Sequence, residues 1–276
     1  MHPVLFDLPL GPLGTFTVGT YGLFYALGFL LGLRLAVSYA RQDGIEPSRI
    51  LDLGIVGLLA GFVGAKLLLY ALDARYYLAE PVRMLQNLRS AGVYYGGLGL
   101  AVAAGVWYVR RHRLPLGKVA DLCAPALSLG QAIGRIGCFL AGCCYGRACD
   151  LPWGVTFHDP RAAELTGVPV GVRLHPTQLY HAAADVLTLV VAMALMRRRR
   201  FDGQVFWTWL LLYSVLRAVV EHWRGDMARG VFFSGALSTS QVISIPIALV
   251  SALMLWRLGR RASADSAAAA ARPRGR

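Results

Sequence analysis

The run Val119-Ala120-Asp121-Leu122-Cys123-Ala124-Pro125-Ala126-Leu127-Ser128-Leu129-Gly130-Gln131-Ala132-Ile133-Gly134-Arg135-Ile136-Gly137-Cys138-Phe139-Leu140 is apolar over the ~20 residues a helix needs to cross a bilayer, yet it carries an arginine well inside it. Charge at that depth is costly and marks function by default. The runs Ile50–Leu72 and Gln204–Val220 repeat the pattern with Lys66 and Arg217. Four more apolar runs, Val18–Tyr39, Gly92–Val109, Gln178–Met196 and Ala236–Trp256, bring the expected spans to about seven. None shows strand alternation with turns at barrel spacing, and a helix satisfies its own backbone in lipid, so the expected fold class is an all-α polytopic membrane protein.

Composition agrees. With 56% hydrophobic and 16% charged residues in 276, the chain is too apolar for a soluble domain of this size. The start Met1-His2-Pro3 lacks a basic n-region and a small-residue cleavage site, so no removable signal peptide is expected. A net charge of +13 suggests nucleic acid in a soluble protein, but topology accounts for it here and no nucleic-acid partner is expected. With the N-terminus outside, the inner side collects Arg41, Arg49, Arg110, Arg111, Arg113, Lys118, Arg197 to Arg200 and the arginines from Arg257 onward. The outer side receives the sparser set Arg75, Arg83, Arg89, Arg147, Arg161, Arg173, Arg224 and Arg229. Lysine and arginine favour the inner side, so the expected orientation is N-out, C-in. Residues 1–261 are expected to form one integral membrane domain with an outer-face subdomain at about 141–176, and 262–276 a disordered Ala/Arg-rich cytoplasmic tail.

At a rise of about 1.5 Å per residue, Lys66 and Arg135 lie ~24 Å and Arg217 ~20 Å from the inner start of their runs, all towards the outer face. Arg34 falls on the inner side, where snorkelling explains it. The flexible stem of Lys66 also suits snorkelling, whereas the rigid forks of Arg135 and Arg217 suit phosphate. Gly130, Gly134 and Gly137 flank Arg135 and allow a headgroup or a neighbouring helix to approach. Arg217, Glu221 and Arg224 share a helical face, as a carboxylate aligning two forks or as an ordinary ion-pair ladder. Leu78 to Ser90 reads as an amphipathic helix on the outer surface. His158-Asp159 and the loop up to Arg173 form the longest outer connection, and His175-Pro176 precedes the fifth span as an interfacial cap.

The segment Gly134-Arg135-Ile136-Gly137-Cys138-Phe139-Leu140-Ala141-Gly142-Cys143-Cys144-Tyr145-Gly146 resembles the signature of the prolipoprotein diacylglyceryl transferase family. The order around it also matches: Tyr21-Gly22-Leu23-Phe24-Tyr25, Gly96-Gly97, Asp121, His175-Pro176-Thr177-Gln178-Leu179-Tyr180, Tyr213 to Arg224, and Gln241-Val242-Ile243-Ser244-Ile245-Pro246. The chain departs where the family usually has Asn, Asn, Glu and His, carrying Cys138, Ala141, Cys143 and Tyr95 instead. The resemblance implies transfer of the diacylglyceryl group of phosphatidylglycerol to the lipobox cysteine thiol of a prolipoprotein, giving a thioether and glycerol phosphate. It implies a bacterial inner membrane protein with its site facing the periplasm or outer leaflet. Its expected partners are phosphatidylglycerol, lipobox signal peptides and membrane lipids.

By the same resemblance Arg135 and Arg217 hold the phosphate, Glu221 and Arg224 support them, Tyr21 and Tyr213 line the site, and Tyr95 takes the proton-handling position. Lys66, Gly96, Gly97, Gly134, Gly137, Cys138, Cys143 and Gly146 complete the expected substrate contacts. No cofactor or metal is expected, because arginines can stabilise the leaving phosphate and paired C-x-x-C knuckles are absent. In an oxidising compartment Cys143 or Cys144 can bridge to Cys149; a thiolate near Arg135 is the catalytic alternative, and otherwise the cysteines are small fillers in place of the family's polar residues. A non-catalytic anionic-lipid binder or transporter, a paralogue with another donor or acceptor, and an intramembrane thiol-disulfide protein are the competing classes. No repeat between halves favours the transporter.

Overall fold

The computed structural model describes residues 2–9, 15–89, 92–225, 231–232 and 237–271. Arg229 and residues 272–276, assigned above to the outer and inner charge sets, lie outside them. A short antiparallel hairpin, β1 (Val4–Pro9) and β2 (Thr15–Gly19), opens the chain. The helices are α1 (Thr20–Gln42), α2 (Pro47–Leu72), α3 (Ala74–Ala79), α4 (Val82–Gln86), α5 (Tyr94–Arg111), α6 (Leu116–Ala141), α7 (Pro160–Thr166), α8 (Thr177–Met196), α9 (Gln204–Glu221) and α10 (Thr239–Ala271). Among the described residues, α1, α2, α6, α8 and Thr239–Asp265 of α10 are long and apolar enough to cross a membrane. The expected third and sixth spans are the 18-residue helices α5 and α9. Large apolar side chains such as Leu30, Leu59 and Leu249 face outward along these helices, the arrangement for helices surrounded by lipid.

Two compact units divide the chain. In residues 36–119, α2 and α5 meet through glycine. A Cβ on Gly64 would come within 2.4 Å of Gly96 O, and one on Gly97 within 2.7 Å of Gly61 O. Close backbone approach of this kind holds helices together where apolar burial gives no drive between them.

In the other unit, Met1–Leu35 with Ala120–Arg276, α1 and α6 cross at Gly28 and Gly130, where an added Cβ on Gly28 would lie 2.8 Å from Gly130 O. Asp121 of α6 is fully buried and caps α9 in trans. Its Oδ2 accepts from Gly203 N at 2.8 Å and its Oδ1 from Phe206 N at 2.9 Å. A carboxylate there satisfies otherwise orphaned amides and complements the helix dipole. Ser128 of α6 and Thr188 of α8 are linked by a 3.1 Å hydrogen bond. Ser238 and Gln241 form a reciprocal capping box at the start of α10: Ser238 N donates to Gln241 Oε1 at 3.0 Å and Gln241 N to Ser238 Oγ at 3.3 Å.

The segment after α6 forms a small folded element. β3 (Val155–Thr156) pairs antiparallel with β4 (Arg173–Leu174), and Phe157, Ala162, Val168 and Leu174 bury an apolar cluster of their own. Asp159 caps α7 through Arg161 N, and Gly167, in the left-handed region, ends it.

Two expectations are modified. The continuous amphipathic helix from Leu78 is broken into α3, α4 and a 3-10 turn at Asn87–Arg89, because Pro81 interrupts it. Leu78, Val82, Leu85 and Leu88 stay exposed on these pieces. α10 runs past Arg261 to Ala271, into the segment read as a tail, since alanine is the strongest helix former.

Candidate functional site

Beyond Ala141 the chain reverses at Gly142, whose φ of 81° suits glycine, and Cys144 follows at φ 59°, in the left-handed region that other residues avoid. The next residues are tied to two helix ends. Gly146 N donates to His175 O at 3.1 Å and His175 N to Arg147 O at 3.0 Å. Arg147 N donates to Trp223 O at 3.0 Å and Gly225 N to Tyr145 O at 3.1 Å. The first turn of α8 clamps the strained pair: Gln178 Nε2 donates to Cys143 O and Thr177 Oγ1 to Cys144 O, each at 2.8 Å. This explains the histidine-proline-threonine-glutamine run. His175, expected to cap the helix, serves through its backbone, while its ring lies 3.2 Å from the Tyr180 hydroxyl. Burial, and secondarily Arg147, lower the imidazole pKa and so favour its neutral form.

That ladder brings Arg224 beside the end of α6, where Arg135 stands. Arg217 Nη2 lies 3.4 Å from Glu221 Oε2 and Arg224 Nη1 4.0 Å from the same oxygen, so Glu221 does sit between two arginines. Arg217 also donates to Ser240 Oγ at 2.9 Å and meets His181 Nε2 at 3.0 Å. A guanidinium can only donate. His181 Nε2 is therefore the acceptor, its proton sits on Nδ1, and its free lone pair is occupied. Arg135 lies within electrostatic range of Cys144, Cys138, Tyr213 and Asp185. Asp185, one turn along α8 from His181, is buried and faces both Arg135 and Arg217. Three guanidiniums outnumber the two carboxylates here, a setting that favours an anion such as a phosphodiester.

Most residues named from the sequence gather in this unit. Tyr21 lies near Cys138, Cys143 and Cys144. Gly137 lets α1 approach, since a Cβ there would meet Phe24 Cβ at 2.7 Å. Gly134 faces open space, Gly146 packs tightly on His175, and Tyr213 stacks on Trp209 with ring centroids 5.6 Å apart. The other expected contacts belong to the 36–119 unit. Lys66 is buried there, its Nζ donating to Asn87 O at 2.6 Å. Tyr95 is exposed in the first turn of α5, edge-on to Tyr94, and Gly96 and Gly97 have a packing reason against α2.

The sequence reading missed His181 and Asp185. Both are ionisable residues inside an apolar span, the same signal that Lys66, Arg135 and Arg217 carry. All five cysteines are unpaired, so the bridge from Cys143 or Cys144 to Cys149, one of the alternatives, is not formed; Cys138, Cys143 and Cys144 cluster with one another, their Sγ atoms within 4.8 Å. Hydrogen bonds from the Cys138 and Cys143 thiols, followed by Arg224 and Arg135, lower the pKa of Cys144 against the opposing effect of burial.

Comparison with known proteins bears on this arrangement. A family model described as prolipoprotein diacylglyceryl transferase matches residues 6–257. A phosphatidylglycerol–prolipoprotein diacylglyceryl transferase of Clostridium tetani is 36% identical over 245 residues, 89% of this chain and 93% of that protein. One of Geobacter sulfurreducens is 34% identical over 269 residues, 95% of this chain and 96% of its own length. One of Solidesulfovibrio magneticus is 35% identical over 278 residues, covering 97% and 98%. With that model spanning nearly the whole chain and these relatives 34–36% identical over most of both lengths, the chain belongs to the prolipoprotein diacylglyceryl transferase family.

Proposed function

We infer that the protein transfers the diacylglyceryl group of phosphatidylglycerol to the thiol of a prolipoprotein's lipobox cysteine, forming a thioether and releasing glycerol phosphate. The observation that carries this reading is the excess of guanidinium over carboxylate at Arg135, Arg217 and Arg224. The phosphodiester seats against Arg135, while Glu221 and His181 fix the fork of Arg217. As the carbon–oxygen bond breaks, negative charge grows on the phosphate oxygen, and preorganised donors in a water-poor site stabilise that change more than they stabilise the ground state. Gly134 gives the glyceryl carbon an approach beside Arg135, and alignment of thiol and carbon supplies much of the remaining rate.

The topology we propose has seven spans, N-out and C-in, in a bacterial inner membrane, with the 141–176 element over the site on the periplasmic side and the end of α10 in the cytoplasm. Two experiments test these readings. Purified protein with phosphatidylglycerol and a lipobox peptide should yield a diacylglyceryl adduct by mass spectrometry; a protein that binds the lipid but gives no adduct is a lipid binder. In reduced, intact spheroplasts an impermeant thiol reagent should reach a cysteine placed at Leu165 and not one at Arg111, and the reverse pattern overturns the orientation.

A further inference from the structure

We propose that Cys138, Cys143 and Cys144 hold a zinc ion whose fourth coordination position takes up the acceptor thiol as a thiolate. The proposal rests on the transferase reading and supplies the one part that the arginines do not, activation of the nucleophile.

Geometry carries it. The three Sγ atoms lie within 4.8 Å of one another. Thiolates about 2.3 Å from a tetrahedral zinc are about 3.8 Å apart, so rotamer adjustments of under about 1 Å per sulfur would close the set. The positions are built rather than incidental. Cys138 is buried on the last turn of α6, and Cys143 N donates to its carbonyl at 3.1 Å. Gly142 turns the chain, Cys144 is kept in the left-handed region, and Gln178 and Thr177 hold the carbonyls of Cys143 and Cys144. The spacing of the three cysteines is no knuckle; a helix end and a tight turn replace it.

Among the described residues the cluster supplies three ligand atoms, one fewer than a closed structural zinc site. An open position is the mark of a zinc that does chemistry. The acceptor thiol would lose its proton on binding and attack the glyceryl carbon. The sulfur–carbon bond forms as the carbon–oxygen bond breaks, its electron pair passing to the phosphate oxygen. The proton released by the thiol ends on glycerol phosphate, and zinc does not change oxidation state. The thioether product is a weaker ligand than the thiolate and leaves. His181 does not compete as the base, because its lone pair is engaged by Arg217.

The test begins with metal content and a cobalt substitute. Protein purified in detergent without chelator should carry close to one zinc per chain. The cobalt-substituted protein should show intense tetrahedral cobalt–thiolate bands. Those bands should shift with a lipobox peptide but not with the same peptide carrying serine for the lipobox cysteine. Chelation of the wild-type protein should reduce transfer by on the order of 10²-fold, with recovery on adding zinc, so the test does not depend on a variant that folds. Cys138→Ser and Cys144→Ser should each weaken metal binding. Undiminished transfer by metal-free protein, or the absence of cobalt–thiolate bands, overturns the zinc site and leaves the transferase reading standing. A peptide-dependent cobalt spectrum without any lipid adduct supports the site and overturns the transferase reading instead.

Discussion

The α2–α5 pair and the α8–α9 pair both place ionisable groups inside apolar helices, and they handle them in opposite ways. In the first, Lys66 is met by a nearby backbone carbonyl, that of Asn87, and the helices otherwise meet through glycine. At the second, Arg217, Glu221, His181 and Asp185 on the two helices are joined by Arg135 of α6 and by Arg224 just beyond α9, with a loop stitched across the helix ends. A buried charge is expensive in either setting. On the proposed reading it becomes a site where the protein assembles more of one sign than it neutralises, and serves packing where backbone polar groups meet it.

The sharpest way to break this contrast is to remove one charge from each setting. Arg135→Ala should lower transfer by on the order of 10²-fold or more, because it deletes a phosphate partner in a water-poor site. Membrane insertion should persist, since the span loses a charge and no apolar surface. Near-normal transfer by a well-expressed Arg135→Ala protein would remove the basis for the anion site. Lys66→Met should show the converse profile, a loss of about 1 kcal/mol in detergent thermal stability from the missing hydrogen bond. A larger effect of Lys66→Met on rate than on stability would return Lys66 to the headgroup contacts expected from the sequence.

A smaller effect is expected at His181. Its Nε2 accepts from Arg217, so its work is to aim the fork rather than to move a proton. His181→Leu should cut kcat by about 10-fold or more, and His181→Gln, whose side-chain carbonyl can accept the same bond, should recover much of the loss. If glutamine and leucine are equally damaging and the pH–rate profile loses a limb, the imidazole carries a proton and the positioning role is wrong.

What was legible in the sequence follows from the same contrast. Long apolar runs announce helices, and a cation inside one announces itself, so α1, α2, α6, α8 and α10 and the key arginines could be read directly. Gly96 and Gly97 were legible as special but not as packing, because glycine near a motif serves ligand approach and helix contact equally well. That cysteines gather at the end of α6 was legible, but the convergence of the Cys138, Cys143 and Cys144 thiols was not, since it depends on the turn at Gly142 and the clamp from Gln178 and Thr177. The β1–β2 hairpin was also missed. Its alternation in Leu5-Phe6-Asp7-Leu8 is short, and its fixing bond, Thr17 Oγ1 to Asp7 Oδ1 at 2.7 Å, joins residues ten apart.

A purely steric change separates packing from chemistry in the α2–α5 pair. Gly96→Leu would drive a side chain into Leu68 Cβ at 2.4 Å and Gly64 O at 2.5 Å. Both atoms belong to the facing helix, so the helices must part, at a cost of about 1–3 kcal/mol in stability. The check is thermal unfolding in detergent beside Gly99→Leu, since a Cβ on Gly99 meets nothing within 4 Å. Equal stability of the two variants would remove the packing account of Gly96.

The mildest expected effect is a pH dependence of stability located in the stitched loop. The folded-state pKa of His175 lies below its ordinary 6.5, chiefly through burial and then through Arg147. Below that ordinary value the unfolded chain takes up a proton that the folded chain does not, so folding is penalised as pH falls through about 6.5. The penalty levels off once pH drops below the folded pKa, and above about 6.5 the imidazole is neutral in both states and contributes no slope. His175→Gln removes the titration while leaving the backbone bonds to Gly146 and Arg147 available. Melting in detergent from about pH 8 to about pH 5 should therefore show the wild-type midpoint falling relative to that of His175→Gln, with the separation developing below about pH 6.5. Parallel curves over that range would mean that His175 is as easily protonated in the folded loop as in the unfolded chain, and that the loop is wetter than its ladder of backbone bonds implies.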